Sequence, residues 1–128
     1  MANRNALWQA AVRCLDSHKA TDIKALDVAD ITSIADWFLL ASGGSANQVR
    51  SFCDYVEEAL AKEGYRPLRT EGYQTGDWIM LDYGDVLIHL FRREVRQFYD
   101  LERLWADASA VDINEYIIQE NNGEEIEL

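Results

Sequence analysis

Proline and cysteine are nearly absent: among 128 residues there is one proline, Pro67, and two cysteines, Cys14 and Cys53. Two cysteines make neither a disulfide framework nor a metal-ligand spacing. Both fall at helical positions among apolar neighbours and read as buried, reduced thiols. With only His18 and His89 beside them, soft ligands are too few for a metal site. Long apolar runs are missing too. The longest, Trp37 to Ala41, is far shorter than the ~20 residues that span a bilayer. The start, Met1-Ala2-Asn3-Arg4-Asn5, lacks a signal peptide's charged end followed by an apolar stretch, so a cytoplasmic protein is expected. Positive charge is in short supply as well: 12 Lys and Arg against 23 Asp and Glu leave a net charge of −11. That balance argues against a broad face gripping phosphate backbones. It suits a basic partner, or simply a soluble surface.

The negative charge is concentrated at one end. Residues 108–128 hold Asp112, Glu115, Glu120, Glu124, Glu125 and Glu127 with no Lys or Arg, so −6 of the −11 lies there. The chain therefore divides into one compact domain, 1–107, and an acidic extension, 108–128. In the extension Ile113, Tyr116, Ile117 and Ile118 can still pack as a short helix before a disordered end.

Within the domain, Asn5 to about Ala20 has helical periodicity, with Leu7, Ala11, Cys14, Leu15 and His18 near one face. Ile23, Leu26 and Val28 suggest a short strand, and Asp36 to Ala41 a buried one. Ser42-Gly43-Gly44 interrupts the pattern. Ser45 and Gln48 then stand at capping-box spacing, ahead of a helix whose stripe is Val49, Phe52, Cys53, Val56, Ala59 and Leu60 and whose stop is Gly64. Tyr65 to about Glu71 reads as a strand, with Pro67 favouring an edge or an early strand position. A last helix is predicted over Glu94 to Ala106. The order helix, strand, strand, helix, three strands, helix predicts an α/β fold: a mixed sheet of about five strands with helices mainly on one face.

The most informative stretch runs from Asp77 to Phe91, two apolar runs about a Gly84-Asp85 turn. A hairpin centred there opposes Tyr83 to Val86, Leu81 to Ile88 and Ile79 to Leu90, an apolar face that belongs on the helices. Side chains alternate along strands, so the other face carries Trp78, Met80, Asp82, Leu87, His89 and Phe91. It is largely apolar yet includes a carboxylate and an imidazole. Either a second layer covers it, or it is an exposed patch of the kind that marks a partner site. The small number of long helices favours exposure, and Trp is enriched among interface anchors.

Other candidates carry less. Ser42-Gly43-Gly44-Ser45 before a helix resembles a phosphate cradle but lacks the P-loop Lys and the dinucleotide fingerprint, so a tight strand-to-helix turn is the simpler reading. Asp82 and Asp85 flank a turn and suit turn roles better than magnesium. His89 has no Ser or Cys partner in an evident motif. His18 caps or packs at its helix end, and Glu57-Glu58 is a solvated helix face.

At these residues the chain resembles the ribosomal silencing factor family, also called Iojap-related. The resemblance rests on Leu26-Asp27-Val28, Thr32-Ser33-Ile34-Ala35-Asp36-Trp37-Phe38, Ala41-Ser42-Gly43 and Gln48-Val49-Arg50. It continues through Glu71-Gly72, Trp78, Leu81-Asp82-Tyr83-Gly84-Asp85-Val86, His89 and Phe91, and closes with Phe98-Tyr99-Asp100-Leu101-Glu102-Arg103-Leu104-Trp105. Together these span about Ala20 to Asp107. Met80 stands where the family often has a bulkier branched residue.

The resemblance implies a nucleotidyltransferase-like fold without its catalytic site, a homodimer in the free state, and no cofactor. The related enzymes set a Gly-Ser turn beside paired carboxylates on a following strand. Here Pro67 to Glu71 offers no such pair, so neither catalysis nor metal is expected. It implies docking on large-subunit ribosomal protein fourteen, with little nucleic acid contact and no membrane, and a block on joining of the small subunit. A role in large-subunit assembly from the same site is the alternative, and a nucleotide-binding enzyme a more distant one. On this reading Trp78, Met80, Leu87 and Phe91, with His89 among them, form the apolar centre of the docking face. Asp82, Asp100 and Glu102 meet Lys and Arg on the partner, Tyr99 borders the patch, and Phe98 faces the core.

Overall fold

A computed structural model describes residues 4–99, 103 and 106–117. In chain order its elements are α1 (Arg4–Ser17), β1 (Thr21–Asp27), β2 (Trp37–Gly43), α2 (Ala46–Lys62), β3 (Arg69–Glu71), β4 (Trp78–Asp82), β5 (Val86–Arg92), α3 (Arg93–Tyr99) and β6 (Ser109–Val111), followed by a 3-10 turn at Asn114–Tyr116. The strands form one sheet in the order β3-β4-β5-β2-β1-β6. The β2–β5 pair is parallel and every other pair antiparallel, so the sheet is mixed, with one strand more than the five expected.

The sheet buries both faces unequally. Ala25, Leu39, Ile79, Leu81, Ile88 and Leu90 point to one side, where α1 lays Leu7, Trp8, Val12 and Leu15 and α2 lays Val49, Phe52, Val56 and Leu60. This is the main core, and its hairpin register is the one the alternation predicts: Ile79 opposite Leu90 and Leu81 opposite Ile88. Truncating a side chain such as Phe52, 2% exposed, would cost about 3–5 kcal/mol. On the opposite face a smaller cluster gathers Leu26, Val28, Ala35, Phe38, Leu40, Leu87 and Phe91. The segment between β1 and β2 supplies Val28 and Ala35 to it, and α3 packs on β5 and β2.

Several local expectations are corrected. The strand read from Tyr65 contracts to Arg69–Glu71, because Pro67 has no N–H to give a neighbour and pairing with β4 begins only with Leu68 N–H on the Asp82 carbonyl (2.6 Å). At the start of α2, Ser45 Oγ accepts from Gln48 N–H (3.1 Å), but Gln48 Oε1 takes the N–H of Gly44 (2.6 Å) rather than that of Ser45, a capping box shifted by one residue. The extension is partly built in. Ser109 to Val111 pairs with β1, and Ile113, Tyr116 and Ile117 join the main core, Tyr116 lying edge-on to Trp8 at 5.6 Å.

Candidate functional site

Strand pairing turns the predicted face into rows of side chains crossing the sheet. One row runs Arg69–Asp82–Leu87–Phe38–Leu26 from β3 to β1, and the next Glu71–Met80–His89–Leu40–Lys24. The third is Trp78–Phe91–Ser42. The six residues expected from β4 and β5 do share this face, but they do not share its exposure. Trp78 is 39% exposed, and Met80 and Asp82 are half-buried. Leu87, His89 and Phe91 are buried. The idea of a fully open apolar patch therefore gives way to a rim of Trp78, Met80 and Asp82 over a closed floor. The 28–36 segment covers the Leu87 end, and α3 the Phe91 end.

Arg96 anchors α3 there. Its guanidinium donates to Ser42 Oγ and to the Asp22 carbonyl, both at 2.8 Å, and lies over the Phe91 ring with Cζ 5.8 Å from the centroid. Asp22 has a positive φ of 51°, where β1 departs from regular pairing between Thr21 and Lys24, so the arginine holds a carbonyl the ladder has turned aside. Phe98, expected in the core, is 80% exposed. It stands two residues, about 200° of helix, beyond the buried Arg96 and so faces the other way. Tyr99 closes α3, with its side chain outside the described part; Asp100 and Glu102 lie outside the described residues.

Trp78 is held from inside. Its Nε1–H donates to His89 Nδ1 at 3.1 Å, and its ring packs against Phe91 at 5.1 Å between centroids. Phe38 meets the imidazole edge-on at 5.1 Å, and burial pushes the His89 pKa down from 6.5 to about 4, so the ring is neutral at neutral pH. Its Nε2 atom is buried and has no hydrogen-bond partner among the described residues. Glu71, Gly72, Trp78, Met80 and His89 line a shallow cleft of about 330 Å³. Gly72 makes that geometry possible, since at φ 82° a Cβ would lie 2.0 Å from the Trp78 carbonyl oxygen.

Asp82 is engaged within its own chain. One carboxylate oxygen accepts from Gly84 N–H at 2.8 Å across the turn, and the other from Arg69 Nε at 3.3 Å. The turn role outweighs the metal one here, and among the described residues no three His, Cys, Asp or Glu side chains gather as ligands. Arg96 and Gly72 escaped sequence reasoning as working parts of the face. A lone arginine in an amphipathic helix looks solvated, and a glycine after a short strand looks like any turn. His18 does pack, stacked on Tyr55 with centroids 3.7 Å apart.

The family described as ribosomal silencing factor during starvation matches residues 1–127. A ribosomal silencing factor from Halalkalibacterium halodurans is 37% identical over 113 residues, covering 88% of this chain and 96% of that protein. A mouse protein named mitochondrial assembly of ribosomal large subunit protein 1 is 30% identical over 97 residues, 73% of this chain and 42% of its own length. Among solved structures, a crystal structure of a Chromobacterium violaceum protein superposes with a TM-score of 0.78 at 31% identity, covering 82% of this chain and 88% of that one.

Proposed function

Because the chain belongs to the ribosomal silencing factor family, we propose that it binds the large ribosomal subunit and, by occupying the surface where the small subunit docks, prevents the two from joining. The contact is large-subunit ribosomal protein fourteen, reached through the Trp78 face, and the factor works in the cytoplasm by obstruction, without catalysis or cofactor. When free it is a homodimer.

The observation that carries this reading is Trp78 itself. A large aromatic ring 39% exposed, braced from below by His89 and Phe91 and sharing its cleft with Glu71, has the form of an interface anchor with a carboxylate at its edge. A net charge of −11 favours encounter with a basic protein and disfavours direct grip on RNA. Met80 adds apolar contact beside Trp78. Tyr99, Asp100 and Glu102 are further partner contacts on this reading, with the two carboxylates meeting Lys and Arg of the partner. Leu87 and Phe91 act as the floor that holds the rim in shape. Assembly of the large subunit from the same docking site is the second reading, supported by the name of the mouse relative.

Subunit joining followed by light scattering separates the two. With wild type present, joining is expected to stop. Trp78→Ala should weaken docking by about 2 kcal/mol, roughly thirty-fold, and restore joining. Binding without any effect on joining would leave assembly as the function.

A further inference from the structure

The polar centre of the docking face is a two-residue relay, Trp78 to His89, whose second half has no hydrogen-bond partner among the described residues. The Trp78 indole can only donate, and it donates to His89 Nδ1 at 3.1 Å. A neutral imidazole that accepts at Nδ1 must carry its proton on Nε2. Trp78 therefore sets the tautomer of His89, and the ring's remaining group is an N–H donor. That atom is buried and makes no hydrogen bond among the described residues. A buried donor left unpaired is costly and uncommon in folded proteins, and where it occurs it calls for an explanation.

The surroundings indicate what fits. His89 stands at the middle of the row Glu71–Met80–His89–Leu40–Lys24, with Met80, Leu40, Phe38 and Phe91 around it and charged side chains only at the ends of the row. It lines the cleft with Glu71, Gly72, Trp78 and Met80. Met80, directly opposite His89 on the next strand, is half-buried and unbranched, and so yields readily to an incoming group. Glu71 lies exposed at the cleft's edge, beside Arg69 at 3.2 Å.

We infer that His89 Nε2–H is a specificity-determining donor of the docking site, satisfied on binding by a carbonyl oxygen of the partner protein that lies beside one of its basic side chains. The basic side chain meets Glu71 at the rim, and the carbonyl enters past Met80. Trp78 is both anchor and positioning residue, because its indole fixes the tautomer that presents the donor. Partners with an apolar group at this place leave the donor buried and unpaired, so the arrangement discriminates against them rather than merely favouring the right one. This rests on the docking reading above.

The test measures affinity for purified large ribosomal subunits together with melting temperature at neutral pH, for wild type, Trp78→Ala, His89→Phe and His89→Gln. His89→Phe removes the unpaired buried donor but also the acceptor of the Trp78 indole N–H, so its melting temperature should stay close to that of wild type while affinity falls about ten-fold. His89→Gln keeps an N–H near the Nε2 position and should recover part of that loss. A fall in stability and affinity together in both variants makes His89 a structural residue and overturns the inference. Unchanged affinity of both, with Trp78→Ala weakened, overturns it while sparing the docking reading. If Trp78→Ala also binds like wild type, the docking reading fails and the inference with it. A measurement free of variants uses nitrogen NMR of histidine-labelled protein with purified large-subunit ribosomal protein fourteen. His89 should hold its proton on Nε2 in the free chain, and that proton should move downfield in the complex; an Nδ1–H tautomer or an unmoved Nε2–H signal overturns the inference.

Discussion

Acidification should destabilise this protein through one buried side chain before general acid unfolding sets in. His89 is 8% exposed, and its burial pushes the imidazole from 6.5 to about 4. The unfolded chain takes up a proton at this position as pH falls through 6.5, whereas the folded chain resists until about 4. Folding therefore has the full benefit of the neutral ring above pH 6.5 and loses it on the way down to about 4. The drop corresponds to about 3 kcal/mol over the whole window, of which about 2 kcal/mol is lost by roughly pH 5. Carboxylates titrate in the lower part of this window, so wild type alone is not diagnostic. The difference between wild type and His89→Phe is, because both carry the same 23 acidic residues. Urea unfolding followed by circular dichroism, at steps between neutral pH and about pH 5, should show the variant gaining about 2 kcal/mol on wild type as pH falls. Parallel curves would refute the reasoning, since they would mean that the folded chain protonates His89 as easily as the unfolded one.

Two further outcomes follow from the braces of the same face. Arg96→Ala leaves the Asp22 carbonyl and Ser42 hydroxyl without their 2.8 Å donor and opens a gap over Phe91, so a loss of about 3 kcal/mol is expected in denaturant unfolding, with faster amide exchange in α3. Gly72→Ala puts a methyl 2.0 Å from the Trp78 carbonyl at a φ of 82°, and should lower stability by about 2 kcal/mol while reducing large-subunit affinity, through displacement of Trp78. Unchanged melting and binding in that variant would remove Gly72 from the site's support.

Much of this face is a matter of period and punctuation. Two apolar runs about Gly84-Asp85 admit one hairpin register in which Ile79 meets Leu90, and a one-residue slip would turn every buried side chain to the wrong side. The same alternation places Trp78, Met80, Asp82, Leu87, His89 and Phe91 together without reference to any other element. The α2 helix is equally local, announced by Ser45, its apolar stripe and Gly64. The family resemblance is likewise carried by ordered residues along the chain.

Exposure is not a local property. Whether Leu87 and Phe91 meet water depends on the 28–36 segment and α3 crossing the sheet, and no periodicity within β5 encodes that covering. Nor does it encode the parallel pairing of β2 with β5, which follows from the crossover through α2 and the β3–β4 pair. Arg96 reads as a surface residue until α3 is laid over Phe91, because only then does burying a guanidinium return two hydrogen bonds and an aromatic contact. The acidic end, which looks detachable by composition, adds β6 to the sheet because β1 would otherwise leave an open edge and Ile113 and Ile117 fit beside α1. Sequence alone determined β2, the β4–β5 hairpin with its register, and which hairpin residues share the Trp78 face, since each depends on neighbours a few positions away. Only the tertiary structure decided which of those residues reach solvent and left His89 Nε2 buried with no hydrogen bond among the described residues, because burial and hydrogen-bond satisfaction depend on segments far apart in the chain.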